Sequence, residues 1–179
     1  MKKSKTLFIR LLHNYLRKVS PNFLFKYYLF FRTVRTFKKK VFVEKQFKKF
    51  SKNLSAINNH EYKITSQNNE DGIIEFIFKT IPNNKYFVEI GFGFHESNSL
   101  NLIKKNWEGR LVDFDIDETQ ALKTNLSYFF PKSKIDIINA KVIKDNINEL
   151  VHPKNTIRKI DFFSLDIDGN DYWVLNALD

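Results

Sequence analysis

The sequence predicts an α/β fold: a parallel sheet with helices on both faces. Three observations support this prediction. Short apolar runs alternate with helix-like stretches from Ser66 onward, all five glycines lie in that part, and three of the four prolines each precede an apolar run by a few residues. In such sheets ligands bind beyond the carboxyl ends of the strands, near the point where the strand order reverses. The residues that follow each strand are therefore the candidates for a site.

The predicted elements follow one another at regular intervals. A helix over 70–80 comes first, because its apolar residues recur at three- and four-residue steps. A helix over 117–128 has Asp117 as its predicted N-cap, with Gln120 at the capping-box position. The predicted strands are 86–90, 111–114, 135–138 and 160–167, and the other helices are 97–106 and 144–151.

The charge divides the 179-residue chain into unequal parts. The net charge is +10, but residues 1–50 hold 15 of the 30 Lys and Arg and only one of the 20 acidic residues. They also hold 12 of the 28 aromatic residues. We therefore divide the chain into a basic, aromatic-rich helical extension (1–50), a polar connector (51–65) and the α/β domain (66–179).

The basic extension has three interpretations. Residues 6–19 form an amphipathic pattern, which is typical of a helix lying on a membrane surface or of one packing its apolar stripe on a neighbouring domain. We favour packing, because the segment carries no second membrane signal. Peripheral membrane contact is the alternative. Binding of RNA by interleaved basic and aromatic residues is weaker still, because no nucleic-acid motif accompanies the charge, and we expect no nucleic-acid partner.

The composition excludes several classes of protein. Without cysteine the chain has no disulfide framework, Cys-based zinc site or thiol catalysis. Arg10, His13 and Arg17 interrupt the first apolar run and no cleavage site follows it, so we expect no secretory signal. No window reaches the roughly 18 apolar residues of a membrane span. We expect a cytoplasmic protein, with peripheral membrane contact through residues 1–50 as the alternative.

The segment after the first predicted strand carries a glycine turn. Gly91 and Gly93 permit a tight turn and close approach of a ligand to the backbone. The residue three positions after Gly93 is Glu96, so the third glycine of a dinucleotide fingerprint is missing, and an acid here would repel a pyrophosphate. Glu89, near the end of the strand, either organises the turn or accepts hydrogen bonds from a cationic ligand.

Polar residues also follow the other strands. Asp115 follows the second strand, where an acid can accept hydrogen bonds from both hydroxyls of a ribose, and we favour it over its acidic neighbours. Asn139 follows the third strand, at a position suited to seating a flat ring. Asp166 and Asp168 end the fourth strand and point to opposite faces if the strand continues. These two acids have four possible roles: to orient an acceptor, to act as a base, to hold a divalent cation or to cap the turn. Two carboxylates without a third ligand are too few for a typical metal site, so we predict none.

Four runs together resemble the class I S-adenosylmethionine-dependent methyltransferases, and most closely their FkbM-like group. The runs are SQNNEDGII (66–74), VEIGFGF (88–94), VDFDID (112–117) and SLDIDGNDYW (164–173). The resemblance implies a Rossmann-like, three-layer methyltransferase sheet with strands one to four present. It also implies S-adenosylmethionine as cofactor and O-methylation of a sugar, a glycan or another small hydroxyl acceptor.

The resemblance assigns roles to individual residues. Near the third glycine of relatives stands His95, a candidate base, although a loop histidine is the simpler interpretation. Asp166 would lie near the transferred methyl group. The cofactor pocket would be formed by Gln67, Glu70, Asp71, Glu89, Gly91, Gly93, Asp115 and Asn139, with Asp115 on the ribose hydroxyls.

One departure from the family concerns length. The family fold needs at least a fifth strand, whereas the sequence stops in the helix after the fourth. We therefore expect a fragment of a longer protein or a truncated product, with an exposed sheet edge that favours association or low stability. A non-catalytic remnant that keeps the cofactor half of the fold is the second functional hypothesis. A membrane-peripheral or nucleic-acid-binding protein is the third.

Overall fold

The computed structural model describes residues 46–47, 57–93, 96–152 and 158–179. The basic extension predicted for residues 1–50 lies outside these residues, apart from 46–47, and so does His95. Within the described part, no helix combines the length and the apolar character needed to cross a membrane.

The described residues form six strands and five α-helices. The strands are β1 (Gln46–Phe47), β2 (Tyr62–Lys63), β3 (Tyr86–Ile90), β4 (Glu108–Asp113), β5 (Ile135–Asn139) and β6 (Phe162–Leu165). The helices are α1 (Glu70–Thr80), α2 (Leu100–Ile103), α3 (Ile116–Phe129), α4 (Ile147–Val151) and α5 (Asp171–Leu175), and a 3-10 turn spans Ile57–His60.

The main sheet is parallel and has the order β5-β4-β3-β6. The chain moves outward from β3 through β4 to β5 and then returns to pair β6 with the other side of β3. The strand order therefore reverses between β3 and β6. β1 and β2 form a separate antiparallel pair.

Helices cover both faces of this sheet, as the sequence predicts. Phe87 and Leu111 point to one face, where they pack with apolar residues of α1, α2 and α3. Val88 and Val112 point to the other face, where α4 and α5 supply the partners. The alternation along each strand thus feeds two cores. Burial of each large apolar side chain contributes about 1.5–3 kcal/mol to stability, so packing on both faces stabilises the sheet.

Three of the predicted elements are shorter in the structure, and one of them is the helix predicted over 144–151, which begins at Ile147. The helix predicted over 97–106 is wrong in length, because α2 spans only Leu100–Ile103. The side chain of Glu89 binds the residues before α2, and Asn106 has a positive φ of 62° just after it. The strand predicted over 160–167 is also too long, since β6 ends at Leu165.

The N-cap predicted for the third helix is wrong by two residues. Helix α3 begins at Ile116, and its N-cap is Asp115 rather than Asp117. The carboxylate of Asp115 accepts hydrogen bonds from the backbone N–H groups of Asp117 (2.8 Å) and Glu118 (3.2 Å). These are two of the N–H groups that a helix start leaves without a partner.

Candidate functional site

A cleft of about 820 Å³ opens at the carboxyl ends of β3, β4 and β6. It lies where the strand order reverses, which is the usual ligand position in open parallel sheets. Its volume is in the range of small-molecule sites. Six of the predicted site residues line it: Gln67, Glu70, Glu89, Gly91, Gly93 and Asp166.

The glycine turn forms the floor of the cleft. Gly91 has a φ of 75°, and a Cβ at this position would overlap the carbonyl oxygen of Asp166. Only glycine therefore lets the end of β3 approach the end of β6 this closely. Gly93 and Glu96 exchange two backbone hydrogen bonds of 3.0 and 2.9 Å, which close the turn.

Glu89 organises the segment that follows this turn. Its carboxylate is 2% exposed and accepts hydrogen bonds from Ser97 Oγ (2.7 Å), Asn98 N (2.8 Å) and Ser99 N (3.1 Å), and also from Ser99 Oγ. Burial raises the pKa of Glu89, and these hydrogen bonds act in the opposite direction. Four donors nearly fill the acceptor capacity of a carboxylate. Of the two roles that the sequence left open, the structure shows the organising one.

Asp71 lies behind the cleft instead of lining it. Its buried carboxylate accepts hydrogen bonds from the backbone N–H groups of residues 64–66. This segment leads directly to Gln67 and Glu70, which do line the cleft. Asp71 is thus a support for two predicted cofactor residues.

The acid that faces the cleft beyond β4 is Asp113. The predicted strand ran to residue 114, but β4 ends at Asp113. The acid at the end of the strand, where a ligand is expected, is therefore Asp113. Asp113 is 9% exposed and accepts backbone hydrogen bonds from Asp115 (2.7 Å), Phe92 and Phe114. Burial raises its pKa. Asp113 is among the described residues that line the cleft, and Asp115 is not. The carboxylate of Asp115 binds the start of α3 instead.

The residues that follow β5 line the cleft, but Asn139 at its end does not. Asn139 is exposed, and its amide donates a hydrogen bond to the carbonyl oxygen of Asp113 (3.1 Å). The residues after it, Ala140, Lys141 and Val142, line the cleft in its place. Asn139 therefore joins β5 to the end of β4.

The loop after β6 turns both of its acids toward the cleft. Because β6 ends at Leu165 and Asp168 has a φ of 56°, the strand alternation that would separate Asp166 from Asp168 stops, and both line the cleft. The carboxylate of Asp171 holds this loop by accepting the N–H groups of Ile167 (2.8 Å) and Gly169 (3.0 Å). Both of these amides belong to the loop, so Asp171 fixes it ahead of α5.

The cleft is strongly acidic. Of the described residues that line it, six are Asp or Glu and one, Lys141, is basic. Such a surface attracts cations and repels phosphates. No group of three or more His, Asp or Glu side chains within the described residues is arranged to hold a metal ion.

Sequence reasoning missed several residues of the cleft. Phe114 is the most prominent, since 74% of it is exposed although it is aromatic and lines the site. Asn98 and Asn170 line the cleft beside the acids. The position of Phe114 directly after a strand end was the available signal, but the strand was predicted to include it.

Comparison of the chain with family models, curated proteins and solved structures gave no match.

Proposed function

We propose that the chain binds S-adenosylmethionine in this cleft and transfers its methyl group to a hydroxyl acceptor. The observation that carries the proposal is the excess of carboxylates in a cleft beside a glycine turn at the reversal point of a parallel sheet. A dinucleotide or another phosphate ligand would meet six acids and one lysine there. The four sequence runs that resemble FkbM-like methyltransferases contain most of these acids and the glycines of the turn, and the resemblance supports the same proposal.

The residues of the cleft suit the parts of this cofactor. Its sulfonium and ammonium groups are cations, which the acids of the cleft attract. Gly91 and Gly93 line the cleft, where a ligand meets a turn without side chains. Asp113, which lines the cleft, is our candidate for accepting hydrogen bonds from the ribose hydroxyls. Phe114 offers an exposed ring on which a flat base can stack.

The chemistry asks little of the protein beyond alignment. When bound, S-adenosylmethionine supplies a methyl group on a positively charged sulfur. A hydroxyl oxygen attacks the methyl carbon in line with its bond to sulfur and displaces the sulfur. Holding the acceptor in line contributes most of the rate enhancement. Asp166, an exposed acid that lines the cleft, accepts the proton that the hydroxyl loses.

A small polyhydroxylated acceptor, such as a sugar or the end of a glycan, fits the same residues. Asp168 and Asn170 are exposed at the rim beside Asp166 and can form hydrogen bonds with neighbouring hydroxyls. The acceptor class implied by the resemblance is the same.

Isothermal titration of the full chain with S-adenosylmethionine tests the proposal. We expect saturable binding of S-adenosylmethionine and none of NAD, whose pyrophosphate meets the acids. A folded chain that releases no heat with S-adenosylmethionine would refute the proposal. Binding without methyl transfer to any sugar tested would instead support the non-catalytic hypothesis.

Two variants separate the neighbouring acids after β4. Asp113→Asn should weaken S-adenosylmethionine binding by about 1.5–3 kcal/mol, the net value of hydrogen bonds to a charged group. Asp115→Asn should leave affinity nearly unchanged and lower the thermal stability of α3 by removing part of its cap. If Asp115→Asn alone abolishes binding, the ribose role returns to Asp115, as the sequence first predicted.

A further inference from the structure

Two buried carboxylates beside the cleft each hold one short segment of chain. Asp71 of α1 is 1% exposed, and Glu89 of β3 is 2% exposed. Asp71 binds residues 64–66, and Glu89 binds residues 97–99. The proposed chemistry makes no use of Asp71. The hydrogen bonds that Glu89 accepts from the protein nearly fill its capacity to accept others.

The hydrogen bonds of Asp71 form a compact cluster. Its carboxylate accepts the N–H groups of Ile64 (2.7 Å), Thr65 (2.7 Å) and Ser66 (2.8 Å). It also accepts the hydroxyls of Thr65 (3.0 Å) and Ser66 (2.8 Å). Thr65 and Ser66 are fully buried, so water cannot replace these bonds without opening the segment.

One residue joins the two segments. The hydroxyl of Ser97 donates to Glu89 (2.7 Å), and the backbone N–H of Ser97 donates to the carbonyl oxygen of Thr65 (3.1 Å). The N–H of that same Thr65 donates to Asp71. An unbroken line of hydrogen bonds thus runs from Glu89 through Ser97 and Thr65 to Asp71.

Each segment carries part of the cleft lining. Gln67, Asn68 and Glu70 follow the segment that Asp71 holds, and Glu96, Ser97 and Asn98 accompany the segment that Glu89 holds. The amide of Asn98 also donates to the hydroxyl of Ser164 on β6 (3.2 Å). The two segments therefore form one wall of the cleft, fastened to both strands of the reversal point.

We propose that Asp71 and Glu89 are coupled positioning residues, which hold residues 64–70 and 96–99 as a single wall of the cleft. Loss of either carboxylate loosens both segments, although each carboxylate bonds directly to only one of them. The identity of the ligand that this wall positions rests on the proposed function, whereas the coupling does not.

Hydrogen exchange of the full chain tests the coupling without any ligand. In Asp71→Asn, amide exchange should rise by about fivefold or more at residues 97–99 as well as at 64–66. In Glu89→Gln, the same rise should reach residues 64–66. Changes confined to the segment that each carboxylate directly binds would overturn the proposal.

Glu75 provides the matched control. It lies one turn after Asp71 on α1, is 9% exposed, and forms ion pairs with Lys79 (2.8 Å) and Lys105 (2.5 Å). Glu75→Gln removes one buried charge from the same helix and should leave exchange at both segments unchanged. If Asp71→Asn does not fold, Thr65→Ala removes a single hydrogen bond to Asp71 and keeps the backbone donors. It must then raise exchange at residues 97–99, or the proposal fails.

Ligand affinity provides the second readout. At a temperature where all variants are folded, Asp71→Asn should raise the Kd of S-adenosylmethionine by about tenfold or more, which corresponds to the loss of a charged hydrogen-bond cluster. Glu75→Gln should leave Kd unchanged even if it lowers the melting temperature. An unchanged Kd in Asp71→Asn would show that Asp71 serves stability alone. If the wild-type chain does not bind S-adenosylmethionine, the proposed function fails and the exchange data still decide the coupling.

Discussion

At the residue scale, the carboxylates of the domain divide by what they bind. Asp71, Glu89, Asp115 and Asp171 accept hydrogen bonds from the protein's own amides, and each of them holds a turn or a helix start. Asp166 instead lines the cleft with its side chain exposed. Glu89 accepts four hydrogen bonds and Asp71 accepts five, so both have little capacity left for a ligand, whereas Asp113 accepts three and can still accept another. This division separates supporting acids from acids available for chemistry.

Asp171 gives a pH-dependent prediction at this scale. Its backbone hydrogen bonds from Ile167 and Gly169 hold the pKa below the ordinary value of 3.8. The charge therefore stabilises the fold above pH 3.8, and this contribution is lost as the pH falls through the lowered pKa. Asp171→Asn should cost about 1 kcal/mol in urea unfolding at neutral pH and progressively less below pH 3.8. Asp145→Asn, at an exposed loop position, is the control and should cost almost nothing at any pH.

At the element scale, the ends of β3 and β6 meet through a glycine. Gly91 and Gly169 both have positive φ, 75° and 110°. A Cβ on Gly91 would overlap the backbone of Asp166, whereas a Cβ on Gly169 would meet nothing within 4 Å. The two positions thus share a conformational preference and differ in the space available. They form a natural pair for testing how closely the strands approach.

Alanine at each glycine separates strain from overlap. Gly169→Ala should lower the free energy of unfolding by about 1 kcal/mol, because an L-residue is strained in a left-handed conformation. Gly91→Ala should cost at least about 3 kcal/mol, because it adds overlap with backbone that cannot rotate away. Thermal unfolding followed by circular dichroism measures both. Equal losses in the two variants would show that β3 and β6 do not need this close approach.

At the scale of the whole molecule, the charges of the two parts of the chain are opposed. Residues 1–50 carry a net charge of +14 and residues 51–179 a net charge of −4. The acidic cleft belongs to the second part. The overall charge of +10 therefore does not describe the surface that meets a ligand.

The packing interpretation of residues 1–50 predicts no membrane binding. The full chain should remain in the supernatant when centrifuged with vesicles that contain anionic lipid, at an ionic strength of about 0.15 M. Vesicles of neutral lipid provide the control for nonspecific pelleting. Pelleting with anionic vesicles alone that falls as salt rises would contradict packing and establish contact with a membrane surface.

The sequence by itself determined the order and nature of the elements from α1 to α5, but not β1, β2 or the 3-10 turn, which lie in the stretches predicted as helical extension and polar connector. Strand β3 and helix α1 begin and end where the apolar pattern predicts, because runs of local hydrophobicity decide them. The parallel sheet with helices on both faces follows from the alternation of the elements. The glycine turn and Asp166 were found for the same reason, since strand ends can be located from local patterns.

Only the tertiary structure decided which side chains reach the cleft. Asp113 faces it and Asp115 caps α3, and this choice depends on the residue at which β4 stops pairing with its neighbours. Asp71 and Glu89 turned out to be supports, because segments distant in sequence bring their N–H and hydroxyl groups to these carboxylates. Hydrogen bonds between such segments leave no periodic signal in a sequence, so the pattern located the site and the fold assigned its residues.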